Sequence, residues 1–345
     1  MNRRYFVSLL LLLLTQATFS NIAQPGFWNA GGTGTFSLLY PEDSAAYRKI
    51  QMVQELVAIQ LYRGFAVIKG SYRMYNETAD TIRIRTGYPL NASYESRSTT
   101  HGYLEEIRFD SLYGLQARVN QVPAEIIATP IADPNYYTEN DNWYIWTTAF
   151  PPGDTTLIEV YFVVNTNETT ILRGYDREHR NGFIYLLEPG ATWKQPIVAG
   201  EIRIHPMEDL APEEIHGIAP ASVFGLSGDG KMLRTQFEYL SPTGDDNIVL
   251  AYGKNLKHFD FAAALGRQEA LYKAIDAFAE TSLAGRAFTP MTFGDPFAVT
   301  SGIGGYGVSA LMILAIFGGP LLLLLGLVLA GVVIYRMLRK RKSGA

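Results

Sequence analysis

The 345-residue sequence predicts a mainly-β fold: an antiparallel β-sandwich, in one or two lobes, with one packed amphipathic helix and a single C-terminal transmembrane helix. Three observations carry this expectation. Short alternating segments recur between residues 50 and 252, punctuated by Gly, Pro, Asn and Asp turns. One stretch, 261–278, places apolar residues at helical spacing. Residues 308–335 run for 28 residues without a charge.

Taken in order, residues 1–20 read as a secretory signal. Arg3 and Arg4 form its basic region, 6–14 its apolar core, and Thr18 and Ser20 the small residues before a cut after Ser20. Residues 21–45, rich in Gly, Ser, Asn and Ala, read as a flexible lead-in. The sandwich is expected over 46–255. Its clearest strands are 50–62, 65–75 and 81–86, the last with Ile82 and Ile84 on one face and Arg83 and Arg85 on the other. Further strands are expected near 103–109, 113–120, 123–129, 142–150, 155–165, 182–187, 197–204, 221–226, 232–240 and 247–252.

The helix region is 256–285. Phe261, Leu265, Tyr272, Ile275 and Phe278 form one stripe suited to packing on a sheet, with Asp260 as cap. Residues 286–307, with Gly, Pro and Ser, read as a juxtamembrane linker that lets the domain reorient. Residues 308–335 are the expected transmembrane helix. Pro320, after Gly318 and Gly319, is a point for a kink or for helix irregularity. Arg336, Arg339, Lys340, Arg341 and Lys342 make 336–345 a basic cytoplasmic tail, which orients the chain with its bulk outside.

Two basic residues in the signal and five in the tail, taken from the 29, leave 22 basic and 33 acidic residues in the exported part, a net charge of −11. The net charge of −4 for the whole chain argues against a general nucleic-acid binder, and the exported face is acidic. The basic tail suits an anionic inner leaflet. The lipid bilayer is therefore one expected partner, through the C-terminal helix. Ala315 with Gly319, and Gly326 with Ala330, have the small-residue spacing that admits self-association of such helices.

The absence of cysteine excludes disulfides, Cys-ligated metal and a cysteine nucleophile, and in so large an exported domain it favours a bacterial source. Asn76, Asn91 and Asn167 begin glycosylation triplets that also arise by chance. The five histidines, His101, His179, His205, His216 and His258, form no close metal-ligand pair, and no cofactor is expected. Glu105 and Glu106 point to opposite faces of a strand, which makes them a poor catalytic pair. Glu208, Asp209, Glu213 and Glu214 surround Pro212 in a solvated loop. Asp229, Asp245 and Asp246 sit in turns without calcium-loop spacing.

The densest aromatic patch is Tyr136, Tyr137, Trp143, Tyr144 and Trp146. Tyr136, Tyr137, Trp143 and Trp146 are the candidate binding residues, because an exposed aromatic face suits a sugar ring or a protein hot spot. The alternative is a central strand buried on both faces.

Tyr75-Asn76, the strand 81–85, Gly87-Tyr88-Pro89-Leu90, and the Pro152-Gly153-Asp154 turn before Leu157-Ile158-Glu159-Val160 follow one another within residues 56–166. In this layout the stretch resembles the vault/inter-alpha-trypsin (VIT) type of β-sandwich. That family's Phe-Pro-Leu-Pro tip is reduced here to Tyr-Pro-Leu, and no von Willebrand-type metal motif follows. The segment 185–194 is similar to segments of uncharacterised exported, membrane-anchored bacterial proteins of this layout. The resemblance implies a binding or structural module and supplies no catalytic residue.

The expected function is a non-catalytic, membrane-tethered, extracytoplasmic binding or scaffold protein of the bacterial envelope, with a protein or glycan partner. The competing expectations are a glycan-binding module and a glycan-acting enzyme whose carboxylates converge only in the fold.

Overall fold

The computed structural model describes residues 26–28, 36–38, 43–89, 93–96, 105–108, 112–130, 142–173, 176–220, 224–299, 312 and 314–342. The expected signal, Tyr136, Tyr137 and the 300–307 part of the expected linker lie outside these residues.

Strands dominate. In chain order they are β1 (Gly26–Trp28), β2 (Phe36–Leu38), β3 (Ile50–Tyr62), β4 (Phe65–Asn76), β5 (Ile82–Pro89), β6 (Ser93–Ser96) and β7 (Glu105–Arg108). Next come β8 (Leu112–Val119), β9 (Val122–Pro123), β10 (Ile127–Pro130), β11 (Asn142–Phe150), β12 (Thr155–Asn165), β13 (Thr169–Arg173) and β14 (Asp176–Tyr185). The last are β15 (Ile197–Pro206), β16 (Ile215–Ala219), β17 (Gly225–Ser227), β18 (Leu233–Leu240), β19 (Ile248–Tyr252) and β20 (Phe288–Pro290). The helices are α1 (Ser44–Tyr47), α2 (Phe261–Leu265), α3 (Gln268–Ala279) and α4 (Gly319–Lys342).

A nine-stranded sheet in the order β20-β17-β18-β15-β3-β4-β12-β8-β9 forms the centre. A six-stranded sheet, β16-β19-β14-β13-β7-β6, and a three-stranded sheet, β10-β11-β5, accompany it. The pairing of β3 with β15 is parallel, while the neighbours β4, β12 and β18 pair antiparallel. Arg63 and Gly64 form the two-residue loop between β3 and β4, with Gly64 at φ +90° and the Phe259 ring packed where a Cβ would stand.

The main core lies between sheets. Val57, Ile59, Ile68, Val160, Phe162 and Ile202 from the large sheet meet Phe183, Tyr185, Leu250 and Tyr252 from the six-stranded sheet. Ile84, Tyr88, Trp146 and Phe150 from the three-stranded sheet join the same core. A bulge between Met52 and Gln54 switches the side-chain alternation of β3, so Met52 and Val57 face the same core despite their odd spacing.

The opposite face of the large sheet carries Ala58, Val67 and Val163, covered by Leu271, Tyr272, Ile275 and Phe278 of α3. The expected stripe therefore does pack on a sheet, but not as one helix. Gly266 ends α2, donating its N–H to the carbonyl of Ala262, and α3 starts afresh at Gln268. Asp260 caps α2, accepting the N–H of Ala263 at 3.0 Å.

Two further expectations change. Part of the lead-in is ordered, since β1 pairs with β2. The segment read as a flexible linker from 286 begins as packed chain. It contains β20 and two buried phenylalanines, Phe293 and Phe297.

At the C-terminal end a π-helical turn, Leu314–Gly318, leads into α4 at the point where Pro320 removes a backbone donor. No helix among the described residues is long and apolar enough to cross a membrane. The uncharged part of α4, 319–335, rises about 26 Å at roughly 1.5 Å per residue, against a hydrocarbon core of about 30 Å.

Candidate functional site

Trp146 does not form a recognition surface. It is 2% exposed, because its face of the three-stranded sheet packs into the main core together with Ile84, Tyr88 and Phe150. Its partner across the ladder is Thr86, whose hydroxyl bonds that of Thr148 at 3.0 Å. Ile145, on the other face, is also buried. The backbone of Trp143 pairs with Pro89. The structure thus takes Trp146 out of the aromatic patch and gives it a packing role.

Part of each acidic cluster is engaged internally. Arg63 donates to both carboxylate oxygens of Glu214 at 2.7 and 2.8 Å and to Asp209 at 3.0 Å, and these bonds hold the Glu214 carboxyl below its usual range. Glu105, 4% exposed, accepts two bonds from Arg173. Asp229 accepts from Ser227 and from the Lys231 N–H, which lowers its carboxyl, and Asp246 accepts from the N–H and hydroxyl of Thr243. These are turn-forming bonds. Among the described residues no group of three or more His, Asp or Glu is placed to hold a metal ion.

Two of the three glycosylation triplets have structural uses for their asparagine. Asn76 is fully buried and donates its amide to the carbonyls of Asp80 and Phe150 at 2.8 and 2.9 Å. Asn167 donates to the carbonyl of Leu256 and accepts its N–H.

Two buried polar clusters stabilise the fold. Between the sheets, the hydroxyls of Tyr72 and Tyr185 lie 2.8 Å apart, and Tyr185 donates to Glu55 at 3.4 Å. Burial pushes the Tyr185 hydroxyl well above its ordinary pKa, so it stays protonated. Beneath α3, Lys69 is 5% exposed and bonds Asp276 at 2.7 Å and Glu159 at 2.8 Å, while Tyr161 donates to Asp276 at 2.8 Å. Burial acts to lower the Lys69 pKa, but its bonds to Asp276 and Glu159 outweigh that and leave it raised.

An open concavity lies at one edge of the large sheet. β17 is short and pairs with only Leu233 and Arg234 of β18, so β18 runs on beyond it. The resulting groove has a volume of about 230 Å³ and is lined by Phe224, Gly225, Arg234, Thr235, Gln236, Phe288 and Pro290. A second hollow of about 170 Å³ lies between Ser227–Asp229, at the end of β17, and Arg286–Ala287, just before β20. The Arg234 guanidinium stands 5.2 Å from the Phe288 ring centroid and is held there by Glu201 at 3.0 Å. Glu201 also binds Arg203, which in turn donates to the carbonyls of Ala279 and Thr281 at the end of α3. An aromatic wall, a fixed cation and the exposed amide of Gln236 suit a small ligand or extended chain that presents carbonyl groups.

None of these groove residues was singled out from the sequence. Their signal is the alternation of Leu233, Thr235 and Phe237 with Arg234, Gln236 and Glu238, which marks a two-faced strand but not the early end of β17.

No family model matches the chain, and no curated protein matches it. Among solved structures, a candidate nutrient binding protein from Legionella pneumophila is similar at 16% identity over 69% of this chain and 77% of that one, with a TM-score of 0.40. An M1 zinc metallopeptidase from Deinococcus radiodurans is similar at 10% identity over 59% of this chain and 42% of that one, with a TM-score of 0.31. Yeast LTA4 hydrolase in complex with bestatin is similar at 9% identity over 70% of this chain and 32% of that one, with a TM-score of 0.32. The chain spans less than half the length of the peptidase and the hydrolase, and similarity at these values assigns no activity.

Proposed function

We propose that this protein is a membrane-tethered, extracytoplasmic binding or scaffold protein of a bacterial envelope that performs no catalysis. The observation that carries the tether is the character of α4. Leu322, Leu323, Leu325, Leu327, Val328, Leu329, Val332, Val333 and Ile334 are all exposed and together point to every side of the helix. A helix apolar all round needs an apolar surrounding, and a bilayer supplies one. The charge-free run from 308 extends this segment to a spanning length, and the basic residues from Arg336 favour a cytoplasmic end. The signal-like N-terminus is consistent with export of the sheets.

The binding role is supported by the groove at β17, β18 and β20, where fixed polar groups meet an aromatic wall. It is also supported by the engagement of Glu105, Glu201, Asp209 and Glu214 in ion pairs, which leaves these carboxylates committed to structure. The partner is a protein segment or a glycan, and one comparison separates the two. The chain without residues 308–345 is tested for retention on cell-wall glycan and on membrane-protein extract, with and without Gln236→Ala and Phe288→Ala. Retention on the extract that falls in both variants at unchanged melting temperature is the expected result. Retention on glycan alone replaces the protein partner with a sugar. Equal retention of all forms removes the groove from the site.

A further inference from the structure

The groove opens beside a strand edge whose backbone directions can be worked out. Ser227 of β17 donates its N–H to the carbonyl of Met232, just before β18, at 2.8 Å. Bonded pairs alternate along an antiparallel ladder, so Gly225 and Ser227 face β18 while Phe224 and Leu226 face β20. The Phe224 carbonyl agrees with this, since it accepts the N–H of Met291, just after β20, at 3.1 Å. On β18 the same alternation turns the N–H and C=O of Arg234, Gln236 and Glu238 toward the β17 side, and those of Thr235 and Phe237 toward β15. Gly225 covers Arg234. Among the described residues no strand pairs with Gln236 or Glu238 on that side, and the groove lies against Thr235 and Gln236. Both short strands connect to the other sheet at this level. Ala219, which precedes β17, pairs with Val249 in the six-stranded sheet, and Gly294, which follows β20, bridges to Gly217 there. At the far end Tyr239 has φ +52° and is 71% exposed, which ends the regular edge. The edge from Thr235 to Glu238 therefore offers about 13 Å of strand.

We infer that this edge takes an added strand from a partner protein: an extended segment, antiparallel to β18 and in line with β17, that reads basic, apolar, polar, apolar. The inference rests on the groove-binding reading above and names its mode. Gln236 and Glu238 each offer a donor and an acceptor, and each exchanges both main-chain bonds with the residue laid opposite. Side chains opposite Thr235 and Phe237 fall on the inner face, where Phe224 and Phe237 pack toward the main core and apolar groups suit. Side chains opposite Gln236 and Glu238 fall on the outer face. Glu238 is exposed and stands in no ion pair among the described residues, while Arg234 is committed to Glu201. The place opposite Glu238 therefore calls for Lys or Arg. A second copy of β18 fits less well. Centred on Phe237, it would set its Leu240 on the edge of Arg234 that Gly225 occupies; centred on Glu238, it would oppose two carboxylates.

The test titrates the full chain, in detergent micelles, against the dye-labelled peptide Ser-Lys-Val-Thr-Val-Ser, whose lysine is set opposite Glu238 and threonine opposite Gln236. Fluorescence anisotropy reads binding, and slowed amide exchange at Gln236 and Glu238 reads its place. N-methylation of the lysine and threonine amides, which face β18, is expected to weaken binding about tenfold or more, and N-methylation of the valine amides, which face away, less than about twofold. Gln236→Pro removes an N–H that β15 does not use, and is expected to weaken binding about tenfold at an unchanged melting temperature. Where that variant does not fold, the methylated peptides carry the test. Glu238→Lys is expected to lose affinity for this peptide and to regain it when the peptide's lysine is replaced by glutamate. Equal weakening by both methylation patterns overturns the added strand, as does a wild-type chain that does not bind the peptide. Binding unchanged in Glu238→Lys overturns the basic position. The groove reading is judged separately: it survives these failures where retention on membrane-protein extract still falls in Gln236→Ala and Phe288→Ala, and it fails with them where retention does not change.

Discussion

Tyr72 and Tyr185 meet hydroxyl to hydroxyl at 2.8 Å in the centre of the main core, one from the nine-stranded sheet and one from the six-stranded sheet. Gly70 makes room for the contact, since a Cβ there would stand 2.2 Å from the Tyr72 oxygen. The pair is a polar contact between two sheets that otherwise meet through apolar packing. A hydroxyl lost from a buried pair costs about 1–3 kcal/mol through the partner's lost bond. Tyr72→Phe and Tyr185→Phe are each expected to destabilise by that amount, and the double variant by less than the sum. Denaturant titration of the three variants measures the coupling.

Trp146→Ala is expected to cost about 3–5 kcal/mol, the range for a large aromatic removed from a packed core. The side chain is 2% exposed, so the loss appears as a lower melting temperature and not as selective loss of binding. An unchanged melting temperature would contradict its place between the sheets.

Asn76→Ala is expected to lower stability by about 1–3 kcal/mol, because it takes the amide donor from the buried Phe150 carbonyl and removes the bond that ties the Asp80 carbonyl to the sheet. Asn76→Asp offers no amide donor and does not rescue it. Melting temperatures of the two variants provide the check.

The cluster beneath α3 makes stability depend on alkaline pH. Burial, opposed by the Lys69 bond, pushes the Tyr161 hydroxyl up to about 12 from 10.0, and Lys69 is raised as well. Both groups hold their protons more tightly when folded. Their contribution is therefore fully present below about pH 10 and is lost as pH rises through the folded values. Urea midpoints measured between pH 9 and pH 12 are expected to fall faster in the native chain than in Lys69→Met with Tyr161→Phe. Parallel curves would contradict the assignment.

Strands with their own alternation and turns were legible in the sequence. β11 and β12 fall on 142–150 and 155–165 as expected, because the Pro152-Gly153-Asp154 turn separates two long apolar runs. β13, β16 and β20 carry little periodicity of their own and are strands because longer neighbours pair with them. β14 begins at Asp176, six residues before the expected strand at 182, since its polar first half is held by β13. The helix stripe was legible, but its break at Gly266 was not, because Gly within an apolar pattern is compatible with either outcome. The candidate site was the least legible part. Whether β11 had one open face depended on its sheet packing into the main core, and the groove depended on where β17 stops. Both are long-range facts about neighbours.

The central claim is that one C-terminal segment holds an exported β unit on a membrane. The direct measurement is fractionation of cells expressing the full chain and the chain ending at residue 307, each with residues 1–20 kept. The full chain is expected in the membrane pellet after a salt wash, and the shortened chain in the soluble extracytoplasmic fraction. A shortened chain that still sediments with washed membranes, or a full chain found soluble, would contradict the account.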